Sequence, residues 1–202
     1  EAGYAWIGRR KGGLAMATVL SCAGFSAVCG SSLATAATMA KVAMPPMRRY
    51  HYSDALSTGT LAAGGTLGIM IPPSVPMIIY GIVSETDIGA LFIAGVLPGL
   101  LLVTTYCLAI YVWVLIDPKI GPAGEVVPFS EKMRTLRRSW PILVLFGLVL
   151  GGIYMGVFTP TEAGAVGAAG AYLFAFSRGR MRSFRDNLDV FSDAMMTTAM
   201  IF

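Results

Sequence analysis

Two short segments offer oxygen atoms that could hold an ion or a small anion without any acidic side chain. Gly30-Ser31-Ser32, followed by Thr35 and Thr38, supplies hydroxyl and carbonyl oxygens. The run from Gly65 to Ser74, GTLGIMIPPS, places two prolines inside an apolar stretch. Proline removes a backbone donor and turns its predecessor away from helical geometry, so a Pro72-Pro73 pair ends one half-helix and begins another, or merely kinks it. A full break exposes carbonyls before it and amides after it, and such discontinuous helices build mid-membrane sites in secondary transporters. Serine and threonine also stitch membrane helices together, so either segment alone reads equally as packing. Their pairing in one short chain favours a solute path.

Other chemistries find less support. None of the 11 acidic residues lies deep in an apolar run, which leaves no carboxylate proton relay and makes a hard cation on neutral oxygens the natural substitute. Cys22, Cys29 and Cys107 lie in apolar segments without metal-type spacing and read as small hydrophobes. His51, between Tyr50 and Tyr52 and beside Arg48 and Arg49, reads as interfacial. An intramembrane serine hydrolase with Ser31 as nucleophile and His51 as base would need both within hydrogen-bond reach, and the arginines beside His51 argue against that.

The elements that must carry these segments belong to a membrane. Of 202 residues 55% are apolar and 13% charged, a balance that excludes an ordinary soluble domain. The net charge of +4 is no sign of nucleic acid, because the 15 Lys and Arg residues fall in four clusters, 9–11, 41–49, 119–138 and 178–185, between apolar runs. Such clusters mark the cytoplasmic side and suit anionic lipid.

The first apolar run, 12–40, is basic at both ends yet shorter than the about 40 residues that two full spans need. It is expected to be a re-entrant hairpin turning at Cys29-Gly30-Ser31-Ser32, a turn that only protein or an aqueous cavity can satisfy. A broken transmembrane helix over 55–84 should follow, running outward to an acidic loop at Glu85 and Asp87. A return over 88–116 should be interrupted at Pro98-Gly99, with its first part lying near the outer surface. Residues 117–140 form a cytoplasmic connection, and 141–176 a transmembrane helix pair. Its turn, Thr159-Pro160-Thr161-Glu162, has capping-box spacing that suffices to explain it. With Glu1 in place of Met and an apolar final run, residues 1–202 read as one membrane permease domain, a piece of something larger.

Four ordered motifs, GGLAMATVLSCAGFSAVCGSSLATAATMAK, GTLGIMIPPSVPMIIYG, LFIAGVLPGLLL and GGIYMGVFTPTEAGAVGA, closely resemble the large permease subunit of tripartite ATP-independent periplasmic (TRAP) transporters, the DctM type. The similarity runs from about Lys11 to Phe202. The resemblance implies an all-α, elevator-type secondary transporter with inverted repeats, each with a re-entrant hairpin and a discontinuous helix. The activity implied is sodium-gradient-driven, binding-protein-dependent import of organic acids, such as C4-dicarboxylates or sialic acid, across the bacterial inner membrane. It implies no enzyme and no cofactor beyond sodium as coupling ion. Its partners would be a small membrane subunit of the DctQ type and a periplasmic substrate-binding protein of the DctP type. Carried over by motif, Gly30, Ser31, Ser32, Gly65, Thr66, Gly68, Pro72, Pro73 and Ser74 would bind ion or line the substrate route, with Ser31, Ser32 and Thr66 on sodium. His51 departs from the family, which more often has glycine before Tyr52. The alternative is a secondary transporter of another inverted-repeat family that works without a binding protein.

Overall fold

The computed structural model describes residues 8, 10–124, 133–134, 140–179 and 183–201, and every regular element among them is an α-helix. The chain divides into two compact units, residues 1–146 and 147–202. Arg9, most of the expected connection 117–140 beyond Gly124, and Arg180 lie outside the described residues.

The first unit begins with α1 (Gly13–Cys29) and α2 (Ser32–Arg49), a helical hairpin. Gly30 makes the turn because its φ of 64° lies in the left-handed region, where a side chain is disfavoured. Its amide donates to Ser26 O at 3.0 Å, closing α1. Ser31 is extended and caps α2, its Oγ accepting from the Ala34 amide at 3.4 Å. Two residues thus reverse the chain.

The second arm is longer than the run 12–40 suggests, since α2 continues past Lys41 to Arg49 with Pro45 and Pro46 inside it. One exposed lysine does not end a helix, and the prolines withdraw amides only from Lys41 O and Val42 O. Arms of 17 and 18 residues reach about 25 Å at roughly 1.5 Å per residue.

α3 (Asp54–Met70) and α4 (Val75–Val83) are separated by Ile71–Ser74, with a cis bond between Pro72 and Pro73. α5 (Ile88–Ile116) returns, capped by Asp87, whose carboxylate accepts from the Gly89 and Ala90 amides. It corrects the reading of an interruption at Pro98-Gly99, because α5 is one helix of 29 residues with Pro98 inside. Proline costs only its own donor there. The neighbouring glycines serve packing: a Cβ on Gly95 would lie 3.3 Å from Met70 O, and one on Gly99 3.1 Å from Ile71. Small residues on α5 therefore make room for the gap between α3 and α4.

The core forms where α1, α3 and α5 face one another, around Val19, Cys22, Leu56, Leu67, Val103 and Ile110. Gly64 lets α3 approach α1 so closely that a Cβ there would lie 2.6 Å from Cys22 Sγ. At one end of the unit three chain segments are tied together. Gly12 N donates to Gly121 O at 2.8 Å, Ser53 N to Ile120 O at 2.9 Å, and Leu14 N to the Tyr52 hydroxyl at 3.2 Å. Arg10, Lys11, Arg48, Arg49 and Lys119 gather at that end, while the Glu85–Asp87 loop caps the other. His51, in the turn between α2 and α3, has φ 57°. This left-handed conformation explains why glycine suits the position.

Two stretches, Asp54–Val83 and Ile88–Ile116, are long and apolar enough to cross a membrane. α5 turns large aliphatic side chains outward, with Leu97 79% and Ile116 78% exposed, a surface that water would not tolerate and lipid would.

α6 (Trp140–Tyr154) contains the boundary between the units. The second unit holds its later part, α7 (Pro160–Ser177) and α8 (Phe184–Ile201). Phe158 folds back over Gly152, and Gly167 of α7 rests on Val149 of α6. Thr159 and Glu162 make both halves of a capping box. The Thr159 amide and hydroxyl donate to the Glu162 carboxylate and hold its pKa below the usual value. Protonation as pH falls through that lowered pKa releases both bonds, so this cap is intact at neutral pH and loosens only in acid.

Candidate functional site

The tip of the hairpin is seated in the break between α3 and α4. A Cβ on Gly68 would stand 2.6 Å from Ser31 O and 2.8 Å from Ser32 N, and one on Gly65 would stand 2.8 Å from Ala36 Cβ. Only glycine at 65 and 68 allows α3 to lie against the start of α2. From the other side, the Val75 amide donates to Gly30 O at 3.3 Å, and a Cβ on Gly30 would lie 2.8 Å from Pro73 O. Gly30, Ser31, Ser32, Gly65, Gly68, Pro73 and Ser74 thus belong to one junction.

Four helix ends meet at it: the C-terminal ends of α1 and α3 and the N-terminal ends of α2 and α4. C-terminal ends present carbonyls with partial negative charge, N-terminal ends amides with partial positive charge. The prolines decide which carbonyls are free. In an unbroken helix residues 72 and 73 would donate to Gly68 O and Ile69 O, but proline has no amide to give. Ile69 O is compensated by the Ser74 hydroxyl at 2.8 Å. Gly68 O, beside the tip, gets no such donor from Pro72. Ser74 also caps α4 by accepting from the Met77 amide at 3.4 Å, and it is fully buried. At the start of α2, the Ser32 and Leu33 amides precede the first residue that can reach an intrahelical carbonyl.

Not every residue singled out from the sequence faces this junction with its side chain. The Thr66 hydroxyl is bonded to Ala63 O at 2.7 Å and to the Tyr106 hydroxyl of α5 at 2.9 Å. It links α3 to α5, whereas Gly65 and Gly68 face the hairpin. Thr35 binds its hydroxyl back to Ser31 O at 2.7 Å.

One residue escaped the sequence reading. Ser26, a turn below the tip, is fully buried, and its hydroxyl has no hydrogen-bond partner among the described residues. An unmet buried hydroxyl costs about 1–3 kcal/mol, and the Thr60 hydroxyl of α3 is likewise buried without a partner among the described residues. The only sequence signal for Ser26 was a serine four residues before the glycine turn. Ser31 and His51 stand at opposite ends of the 18-residue α2, which removes any nucleophile and base pair between them.

The DctM family model, described as "Tripartite ATP-independent periplasmic transporter, DctM component", matches residues 2–202. The chain belongs to this family. It is 44% identical over 81% of its length to the C4-dicarboxylate TRAP transporter large permease protein of Pseudomonas aeruginosa, covering 38% of that protein. To the ectoine TRAP transporter large permease protein of Halomonas elongata it is 37% identical over 98% of the chain and 46% of the relative. To the sialic acid TRAP transporter large permease protein of Vibrio cholerae the identity is 32%, over 96% of the chain and 45% of the relative. The chain therefore spans less than half the length of these curated relatives. The DctM family is a transporter family integral to membranes, not an enzymatic one, and the substrates named for its members differ.

Proposed function

We propose that this chain is part of the permease subunit of a sodium-gradient-driven, binding-protein-dependent importer of organic acids in a bacterial inner membrane, crossed several times by the complete protein. The observation that carries the reading is the seating of the α1–α2 tip in the α3–α4 break, where opposite helix ends converge. Carbonyl ends suit a sodium ion and amide ends suit a carboxylate, so one junction could couple the two. Sodium would draw on the Ser31 and Ser32 hydroxyls and on Gly68 O, the carbonyl that Pro72 leaves without a helical donor. Thr66 would add its hydroxyl only on release from Tyr106. The C4-dicarboxylate and sialic acid named for relatives support an organic-acid substrate. An elevator movement of the junction, with a second repeat supplying an equivalent hairpin and break, belongs to the same proposal, as do a DctQ-type small subunit and a DctP-type binding protein.

Reconstitution tests it. The complete permease in liposomes should take up solute only with the small subunit, the binding protein and an inward sodium gradient all present. Full-rate uptake by the permease alone, or with potassium replacing sodium, refutes the assignment.

The hairpin in this proposal is re-entrant, with its base and the basic end of the first unit in the cytoplasm. Single cysteines at Lys11 and Arg49 of the complete permease should then react with an impermeant thiol reagent from the cytoplasm only, and one at Asp87 from the periplasm only. Labelling of Lys11 and Arg49 from opposite sides would make Gly12–Arg49 an ordinary crossing.

A further inference from the structure

At the basic end of the first unit, a recess of about 420 Å³ is lined by Arg10, Lys11, Tyr111, Val114, Leu115 and Pro118. We propose that it binds one anionic phospholipid, with the phosphate on Arg10 and Lys11 and the first acyl carbons against Tyr111 and Leu115. Three observations carry this. First, the two cations stand over an apolar wall made by the last turns of α5, where Tyr111 is 42% and Leu115 61% exposed. Second, neither cation has a carboxylate partner among the described residues, where the ion pair at this end joins Arg48 to Asp54 at 3.7 Å. Asp117, next to the lining residue Pro118, accepts the Lys119 amide at 3.1 Å and forms no ion pair with either cation. Third, the recess sits where α5 ends, at the level at which a span leaves hydrocarbon for headgroups.

A free phosphate would satisfy the cations but leave the aliphatic wall bare, and a neutral lipid would do the reverse. An anionic phospholipid meets both. The inference rests on the membrane placement proposed above but not on transport, since binding can be read without any flux.

The complete permease in detergent micelles would be titrated with phosphatidylglycerol, phosphatidylcholine or inorganic phosphate while its melting temperature is followed. Phosphatidylglycerol should raise it in a saturable manner and the other two should not. Arg10→Gln with Lys11→Gln should weaken that response roughly tenfold or more. Arg48→Gln with Arg49→Gln removes the same charge from the same end without touching the recess, and should leave the response nearly intact. Leu115→Gln should weaken it while the cations remain. Equal losses in both double variants would reduce the effect to diffuse surface charge and overturn the proposal, as would stabilisation by inorganic phosphate alone or a wild-type response in the Arg10/Lys11 variant. All four replaced cations are exposed, and melting without added lipid checks that each variant is folded.

Discussion

Gly68→Val is expected to lower sodium-dependent uptake by the complete permease at least tenfold. The reason is local and steric: the atoms that a Cβ at this position would meet, Ser31 O, Ser31 C and Ser32 N, are backbone, so no rotamer change can make space. Either α3 or the hairpin tip must move, and overpacking of this kind costs about 1–3 kcal/mol. Lifting the tip also strains the bond from the Val75 amide to Gly30 O. Cys29, one residue before the turn, should then react faster with a thiol reagent. Gly59→Ala is the matched control, because a Cβ at Gly59 on the same helix meets nothing within 4 Å; it should keep uptake and Cys29 reactivity. Wild-type uptake by Gly68→Val would show that the seat is not needed for transport.

The second large effect should follow from restoring helix across the break. Pro72→Ala with Pro73→Ala returns two amides whose helical acceptors are Gly68 O and Ile69 O, removing a free carbonyl beside the tip and displacing the Ser74 hydroxyl from Ile69 O. The sodium concentration for half-maximal uptake should rise at least tenfold. Ser32→Ala, which removes one neutral oxygen worth about 1 kcal/mol, should raise it by only about fivefold. In the unaltered protein sodium should slow modification of Cys29 by ordering the tip, and potassium should not. Unchanged sodium dependence in the proline variant, together with Cys29 reactivity indifferent to sodium, would leave the junction as packing and move the coupling ion elsewhere in the permease.

These expectations combine features of different legibility. The turn at Gly30 could be read directly, and the disturbance at Pro72-Pro73 could be located though not told from a kink, because glycine and proline act on their own backbone: one tolerates a left-handed φ, the other lacks an amide. The cap at Thr159-Pro160-Thr161-Glu162 was legible for the same reason, as its bonds close within four residues. Proline alone, however, did not distinguish Pro72-Pro73, where the helix stops, from Pro45-Pro46 and Pro98, where it continues. At Pro72-Pro73 the Ser74 hydroxyl takes over Ile69 O and caps the next helix, so the chain has a local substitute for the helical bonds it gives up.

By itself, then, the sequence determined the membrane character, the spacing of the apolar runs and the hinge chemistry of the tip and break, all consequences of residue types within a turn or two. Tertiary structure decided that tip and break are one junction, because the steric fit of Gly65 against Ala36 and of Gly68 against Ser31 and Ser32 joins residues far apart in the chain. It also turned the Thr66 hydroxyl toward Tyr106 and carried α2 past Lys41 to Arg49. Local propensity has no access to such pairings, since the free energy that selects them arises only when separate helices pack.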